Sequence, residues 1–380
     1  MRYLVDLFGR SSKGPIGIDI GHSCIRMIQL GCKDGLIRAE SAEQELLEPT
    51  STPDGSVQRR TIIRAIRSML SRGRFAGREV VSCLPGDTLK IKSLRLDILE
   101  ADRLEETLLE DTAQRFGLDL DSDEIRYLAA GSVYQGEEIK KEVIFLGMNR
   151  TQLMGHIALL EEAGLEPIAV DAMPCALFRS FQRTLRRQED RQVVSVLVNL
   201  GIHFTTVIIG RGASISLVKQ IPLAEHHLTQ KAADVLGISY DQAAAQIAQL
   251  QQLCSRQTDS PLQRTISAAV SRIIEDLARE ISLYFKYYAV SFRGEQPSEV
   301  VFAGGRLYES LLMDLLRQQL NMEIRIAEPL RGIDLSRVGF DRRPNPQMAE
   351  WAVAVGLALK GWSWPGLQEL DYIPEADAAV

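Results

Sequence analysis

Apolar and polar positions trace one plan twice along the chain. Ile16-Gly17-Ile18-Asp19-Ile20 leads into Gly21-His22-Ser23, and a second apolar run begins at Cys24-Ile25. β-Branched residues fill both arms and glycine relieves the turn, so the segment reads as strand, tight turn, strand. Val196-Leu197-Val198-Asn199-Leu200, then Gly201-Ile202-His203-Phe204 and Thr205-Thr206-Val207, repeat that plan about half a chain later. Self-similarity at this separation predicts two halves built on one supersecondary unit. Residues 193–210 carry no formal charge and approach the length of a membrane span, but Asn199, Gly201 and His203 interrupt the centre. Two buried strands around a turn fit that run better than a spanning helix.

Between the repeats the pattern predicts a compact α+β unit. Residues 80–84 read as a strand stopped by Pro85-Gly86 and 89–96 as a second strand, while 101–116 read as a helix with Leu104, Leu108 and Leu109 on one face. Residues 142–148 form a third strand, 151–163 a helix closed by Gly164, and 166–170 a fourth strand. After the second repeat come a helix over 241–253 and a longer one over 267–288, whose Val270, Ile273, Ile274, Leu277, Ile281, Leu283 and Phe285 recur at helical period. The run from Glu299 to Ala303 then stops at Gly304-Gly305-Arg306 and enters a helix through Leu311, Leu312, Leu315 and Leu316.

The 380 residues suffice for two or three domains, and an apolar fraction of 45% with 25% charged residues describes a globular α/β protein rather than a disordered chain. A net charge of −6 argues against a surface built to neutralise nucleic-acid phosphates. The five cysteines are scattered without C-x-x-C spacing, which reads as reduced thiols of a cytosolic protein. The first ten residues place an acid inside a short apolar stretch and lack a small-residue cleavage site, so no secretory signal is expected there.

Chemistry concentrates at the glycine turns. Consecutive N–H groups in such turns suit phosphate oxygens, and glycine removes the Cβ that would hold a phosphate away. Asp19, beside the first turn, suits a hydrated Mg²⁺. Taken singly each hairpin is equally well an ordinary β-turn; three glycine motifs in order carry more weight. His22 and His203 each follow a motif glycine and could face one another across a cleft; they read either as a phosphate-facing pair or as plain turn residues. The adjacent His226-His227 pair, about 100° apart on a helix, is read as a helix-end pair rather than a metal site. Asp171 has two readings, a holder of metal-bound water or a cap for a helix over 172–182. Arg59, Arg60, Arg64, Arg67, Arg72, Arg74 and Arg78 interleave with Ile62, Ile63, Ile66, Met69 and Leu70 and meet no acid, giving a basic amphipathic helix. Its readings are a solvated face or a contact with anionic lipid through Arg59, Arg60, Arg64 and Arg67.

The order of Ile16-Gly17-Ile18-Asp19-Ile20-Gly21, Asn199-Leu200-Gly201 and Phe302-Ala303-Gly304-Gly305 resembles the phosphate-1, phosphate-2 and adenosine motifs of the actin, sugar kinase and Hsp70-like ATPases. Within that superfamily the chain resembles the PilM family of type IV pilus assembly. Leu7-Phe8-Gly9, Leu84-Pro85-Gly86, Glu162-Ala163-Gly164-Leu165-Glu166-Pro167 and Val355-Gly356-Leu357-Ala358-Leu359 extend the likeness over most of the chain. The resemblance implies an actin-like, ribonuclease H-like α/β fold of two lobes with an inserted α+β subdomain. Its parts would be residues 1–78 for the start of lobe I, 79–170 for the insert, 171–190 for a return helix and connector, 191–365 for lobe II, and 366–380 for an acidic tail. It further implies ATP and Mg²⁺ in the cleft: Asp19, Gly21, His22 and Ser23 at the first phosphate turn, Gly201, His203 and Thr205 at the second, and Gly304, Gly305 and Arg306 beside the adenosine. Asp19 and Asp171 would reach the metal through water. Asn199 stands where the superfamily has an aspartate, and an amide cannot take a proton from water at neutral pH, so no catalytic residue is assigned. The implied function is a cytoplasmic ATP-binding scaffold, peripheral to the inner membrane through the short tail of a PilN-like partner. A small-molecule kinase and an FtsA-like filament former are the alternatives.

Overall fold

The computed structural model describes residues 12–33, 35–47, 55–97, 117, 122–185, 193–253, 261–294, 297, 299–305, 310–340 and 348–360. The expected helix over 101–116, Arg306, Cys254, most of the charged connector and the acidic tail lie outside these.

The first half folds on a sheet whose strands are β1 (Ser12–Ile20), β2 (Cys24–Lys33), β3 (Leu36–Leu46), β4 (Glu79–Cys83) and β8 (Glu166–Asp171), in the order β3-β2-β1-β4-β8. The second half has β9 (Val194–Leu200), β10 (Thr205–Arg211), β11 (Ser214–Ile221), β12 (Glu299–Gly304) and β13 (Glu323–Ile326), in the order β11-β10-β9-β12-β13. In each sheet three antiparallel strands continue into two parallel ones. The repeated sequence plan is therefore a repeated topology, and the uncharged run through 193–210 is the β9–β10 hairpin. Among the described residues no helix is long and apolar enough to cross a membrane.

A third sheet, β5 (Lys90–Leu96), β7 (Glu138–Asn149) and β6 (Asp123–Gln135), forms the insert. The strands expected over 80–84 and 166–170 do not belong to it. Both are mostly apolar runs that pair in parallel within the first sheet, and α2 (Arg150–Glu162) makes the crossover between insert and β8. Asn149 caps α2 by accepting from the Thr151 and Gln152 amides at 3.0 and 3.2 Å, and Gly164 follows it at φ 90°.

Alternation along β1 sends Ile16, Ile18 and Ile20 into a core with Ile62, Ile63, Ile66 and Met69 of α1 (Gly55–Arg72). Gly17 faces the other way, under α8 (Ala352–Ala358), where a Cβ would overlap the Ala354 carbonyl and the Ala358 amide. The same helix crosses α3 (Met173–Gln182) so closely that a Cβ on Gly356 would overlap the Ala176 carbonyl. In the second half α6 (Pro261–Phe292) lays Val270, Ile274, Leu277, Ile281 and Phe285 on Val196, Val198 and Leu200 of β9, while Leu283 faces solvent. The insert joins this half: Leu128, Ala130, Ile144 and Leu146 pack with Ile208, Ile215 and Val218.

Three arginines of α1 bond to partners on their own lobe at the surface. Arg59 donates to the Gly155 carbonyl at 3.0 Å and to Glu162 at 2.9 Å, Arg67 donates to the Glu162 carbonyl at 2.6 Å, and Arg72 pairs with Glu45 at 2.6 Å. Arg60, Arg64, Arg67 and Arg72 are all exposed.

Candidate functional site

The two glycine hairpins have one geometry and meet at one cleft. The Gly21 N–H donates to the Cys24 carbonyl at 3.0 Å, and the Gly201 N–H donates to the Phe204 carbonyl at 3.2 Å. These amides close the turns themselves. A Cβ on Gly21 would stand 3.0 Å from the Cys24 oxygen, and one on Gly201 would stand 2.8 Å from the Phe204 oxygen, so both turns favour glycine, the second more strongly, before any ligand is considered. The second turn is further tied to α4 (Glu225–Leu236) through Glu225 N–H to the Gly201 carbonyl at 3.1 Å and His226 N–H to the Ile202 carbonyl at 2.9 Å. Behind it, Gly304 at φ 129° passes Leu200 where a Cβ would meet the Leu200 carbonyl, and Gly305 opens onto free space. Ser23 is exposed at the tip of the first turn. Thr205 is fully buried and donates its hydroxyl to the Leu223 carbonyl at 2.6 Å, an orientation that anchors the strand and directs it away from the cleft.

Asp19 and Asn199 occupy the same position in the two halves, each the next-to-last residue of its hairpin's first strand. Asp19 lies opposite Arg26 in the ladder; burial raises its carboxyl pKa and the Arg26 charge opposes that rise. Cys83 is buried beside it, its thiol pushed up first by burial and then by the charges of Asp19 and Asp171. Asn199 approaches the Met173 sulfur at 3.9 Å. Asp171 is engaged by two protein cations, Arg179 at 2.8 Å and Lys360 at 3.1 Å, and accepts from the Ala172 amide at 2.9 Å. Arg179 also donates to the Gly356 carbonyl at 2.9 Å, so this carboxylate ties β8, α3 and the end of α8 together. The amide contact is a cap of sorts, yet the dominant partners are two cations, and none of the described contacts directs Asp171 toward a metal-bound water.

The histidines do face one another. The His22 and His203 rings meet edge to face with centroids 4.5 Å apart, and His22 Nε2 lies 3.3 Å from Asp87 Oδ2. Asp87 sits on the short 3₁₀ turn Gly86–Thr88 that follows β4. The His203 pKa is lowered by burial first and by the neighbouring His22 next, with Asp87 acting in the opposite direction. His226 lies with its ring 5.8 Å from His203 and 5.0 Å from Tyr240. His227 accepts from the Ala224 amide through Nδ1 at 3.3 Å, the helix-end role expected of it. Gln220 of β11 reaches across to donate to the Gly86 carbonyl at 2.6 Å. Asp87 and Gln220 escaped the sequence reading; the only available signal was the polar residue directly after Pro85-Gly86.

Two sheets of one topology, each ending in a glycine hairpin at a shared cleft, define a protein of the actin-like ATPase fold. The chain is similar to a chain of a solved PilM-PilN type IV pilus biogenesis complex, with 18% identity and a TM-score of 0.73 over 92% of this chain and 99% of that one. It is also similar to the ethanolamine utilization protein EutJ from Carboxydothermus hydrogenoformans, with 15% identity and a TM-score of 0.53 over 92% of this chain and 89% of that one. Residues 17–362 match the type IV pilus assembly protein PilM family, and the chain belongs to that family.

Proposed function

We propose that this chain is a cytoplasmic, nucleotide-binding scaffold of type IV pilus assembly that holds ATP and Mg²⁺ in the cleft between its halves. The observation that carries the reading is the pair of congruent hairpins, Gly21-His22-Ser23 and Gly201-Ile202-His203, which meet through the His22 and His203 rings, with Gly304 packed against Leu200 behind the second. Asp19 is the residue suited to order the hydrated Mg²⁺: its carboxyl is raised by burial, and a cation would stabilise the charged form. Asn199 offers a hydrogen bond without basicity, which supports binding over turnover.

The partner is the short cytoplasmic tail of a PilN-like inner-membrane protein, by analogy with the PilM-PilN complex this chain resembles. Attachment to the membrane runs through that tail, with Arg60 and Arg64 adding a salt-dependent contact to anionic lipid. Pull-down with the tail of a PilN-like protein tests the partner.

Nucleotide binding is tested by thermal melting with and without ATP and Mg²⁺. Saturation at a hundred times Kd stabilises a fold by about 2.7 kcal/mol. Gly305→Leu is the informative variant, because its side chain would enter open space rather than break a turn. It should abolish the nucleotide-induced rise while leaving melting without nucleotide unchanged. An ATP-induced rise that survives in Gly305→Leu would remove this cleft as the binding site.

A further inference from the structure

We propose that His22, Asp87 and His203 form a binding site for one zinc-class divalent cation that bridges the two halves of the chain. One donor atom from each of these side chains lies within 4.8 Å of the other two, and the His22–Asp87 pair is already at 3.3 Å. A tetrahedral zinc ion with nitrogen and oxygen ligands needs its donors about 3.4 Å apart. Closing the remaining gap takes a shift of roughly 1 Å, within the reach of partly exposed side chains that can adjust their rotamers.

The donor set favours this class of ion. Two imidazoles and one carboxylate match zinc, nickel or cobalt, whereas Mg²⁺ prefers oxygen ligands and retains its water. The side chains of His22 and Asp87 are 35% and 29% exposed, so an ion can enter the folded protein and keep an open fourth position for water. The three ligands come from three separate places: the β1–β2 hairpin, the 3₁₀ turn after β4, and the β9–β10 hairpin. The first two belong to one sheet's half and the third to the other, so occupancy would hold the cleft edges together where Gln220 already bonds to Gly86. His226 stands beside His203 but its ring is farther from the pair, and it is not required as a ligand.

The test uses the full chain, stripped with a chelator and titrated with Zn²⁺ in the absence of nucleotide, so that its outcome is independent of ATP binding. One equivalent of zinc should bind and raise the melting temperature, with excess Mg²⁺ unable to displace it. Cobalt in place of zinc should give the intense visible absorption of a low-coordinate nitrogen and oxygen site. His22→Asn and His203→Asn should each weaken binding by at least about a hundredfold, because loss of even an outer-shell partner costs up to that much. His226→Asn should leave stoichiometry at one. The buried thiols Cys24, Cys32, Cys83 and Cys175 are excluded as the source if zinc uptake is lost in the histidine variants while circular dichroism is unchanged. No zinc uptake, or equal uptake by the parent chain and both variants, would overturn the site.

Discussion

His156 gives the sharpest pH prediction in the fold. It projects from α2 onto β4, where it is 8% exposed and its Nε2 is 2.8 Å from the hydroxyl of fully buried Ser82. Burial lowers its pKa from 6.5 to about 4. The sign follows from proton counting. Between these values the unfolded chain binds a proton that the folded chain refuses, so the stabilising contribution is complete above pH 6.5 and is lost as pH falls toward about 4. At about 1.4 kcal/mol per pH unit the window corresponds to about 3 kcal/mol. His156→Gln keeps a hydrogen-bonding group near Ser82 and removes the titration. Urea unfolding of parent and variant across this window should show the parent losing about 3 kcal/mol more on acidification, because other titrating groups cancel in the difference. The Cε1 proton of His156 should meanwhile keep its neutral NMR shift at pH 6. Parallel stability curves, or an NMR midpoint near 6.5, would refute the assignment of this ring to the dry interior.

Three further outcomes follow from individual contacts. Gly356→Ala should destabilise the chain by about 1–3 kcal/mol, seen as a lowered melting temperature, because the new methyl overlaps the Ala176 carbonyl at the α3–α8 crossing. Asp171→Asn should cost about 3–5 kcal/mol in urea unfolding, since it removes the charge that buried Arg179 and Lys360 face; an effect on metal affinity with stability unchanged would instead restore Asp171 as a cation holder. Asn199→Asp should raise single-turnover ATP hydrolysis, by roughly 10² to 10⁴ where the other groups are in place; fast turnover by the parent chain would contradict the scaffold reading.

The fold was legible wherever period and punctuation agreed. The repeat of Ile16–Ile20 in Val196–Leu200 became two sheets of one strand order, since both arms are β-branched and both turns favour glycine for the same close carbonyl. The limits of the insert were not legible. The strands β4 and β8 look like any short apolar run, and only their parallel pairing with β1 and with each other assigns them to the first sheet. That His22 and His203 could meet was readable because each follows a motif glycine, and their ring centroids lie 4.5 Å apart. The role of Asp171 was not readable, because Arg179 is a turn or two along the next helix and Lys360 is far away in sequence. Arg59 and Arg67 likewise read as free basic charge until α2 brought Gly155 and Glu162 beside them.

The repeat is symmetric in backbone and asymmetric in charge. The first half brings Asp19 and Asp87 to the cleft, while the second brings Asn199 and His203 at the matching edge. Toward a polyphosphate, the two carboxylates of the first half, Asp19 beside Arg26 and Asp87 beside His22, would be a source of repulsion. A cation on the first half removes that repulsion and turns the same carboxylates into an attachment point. The direct contacts of the first half with Gln220 and His203 hold the two hairpin edges in register. Asn199, standing where Asp19 stands in the first half, offers an amide and no carboxylate at the second hairpin, so any base there would have to be an imidazole such as His203.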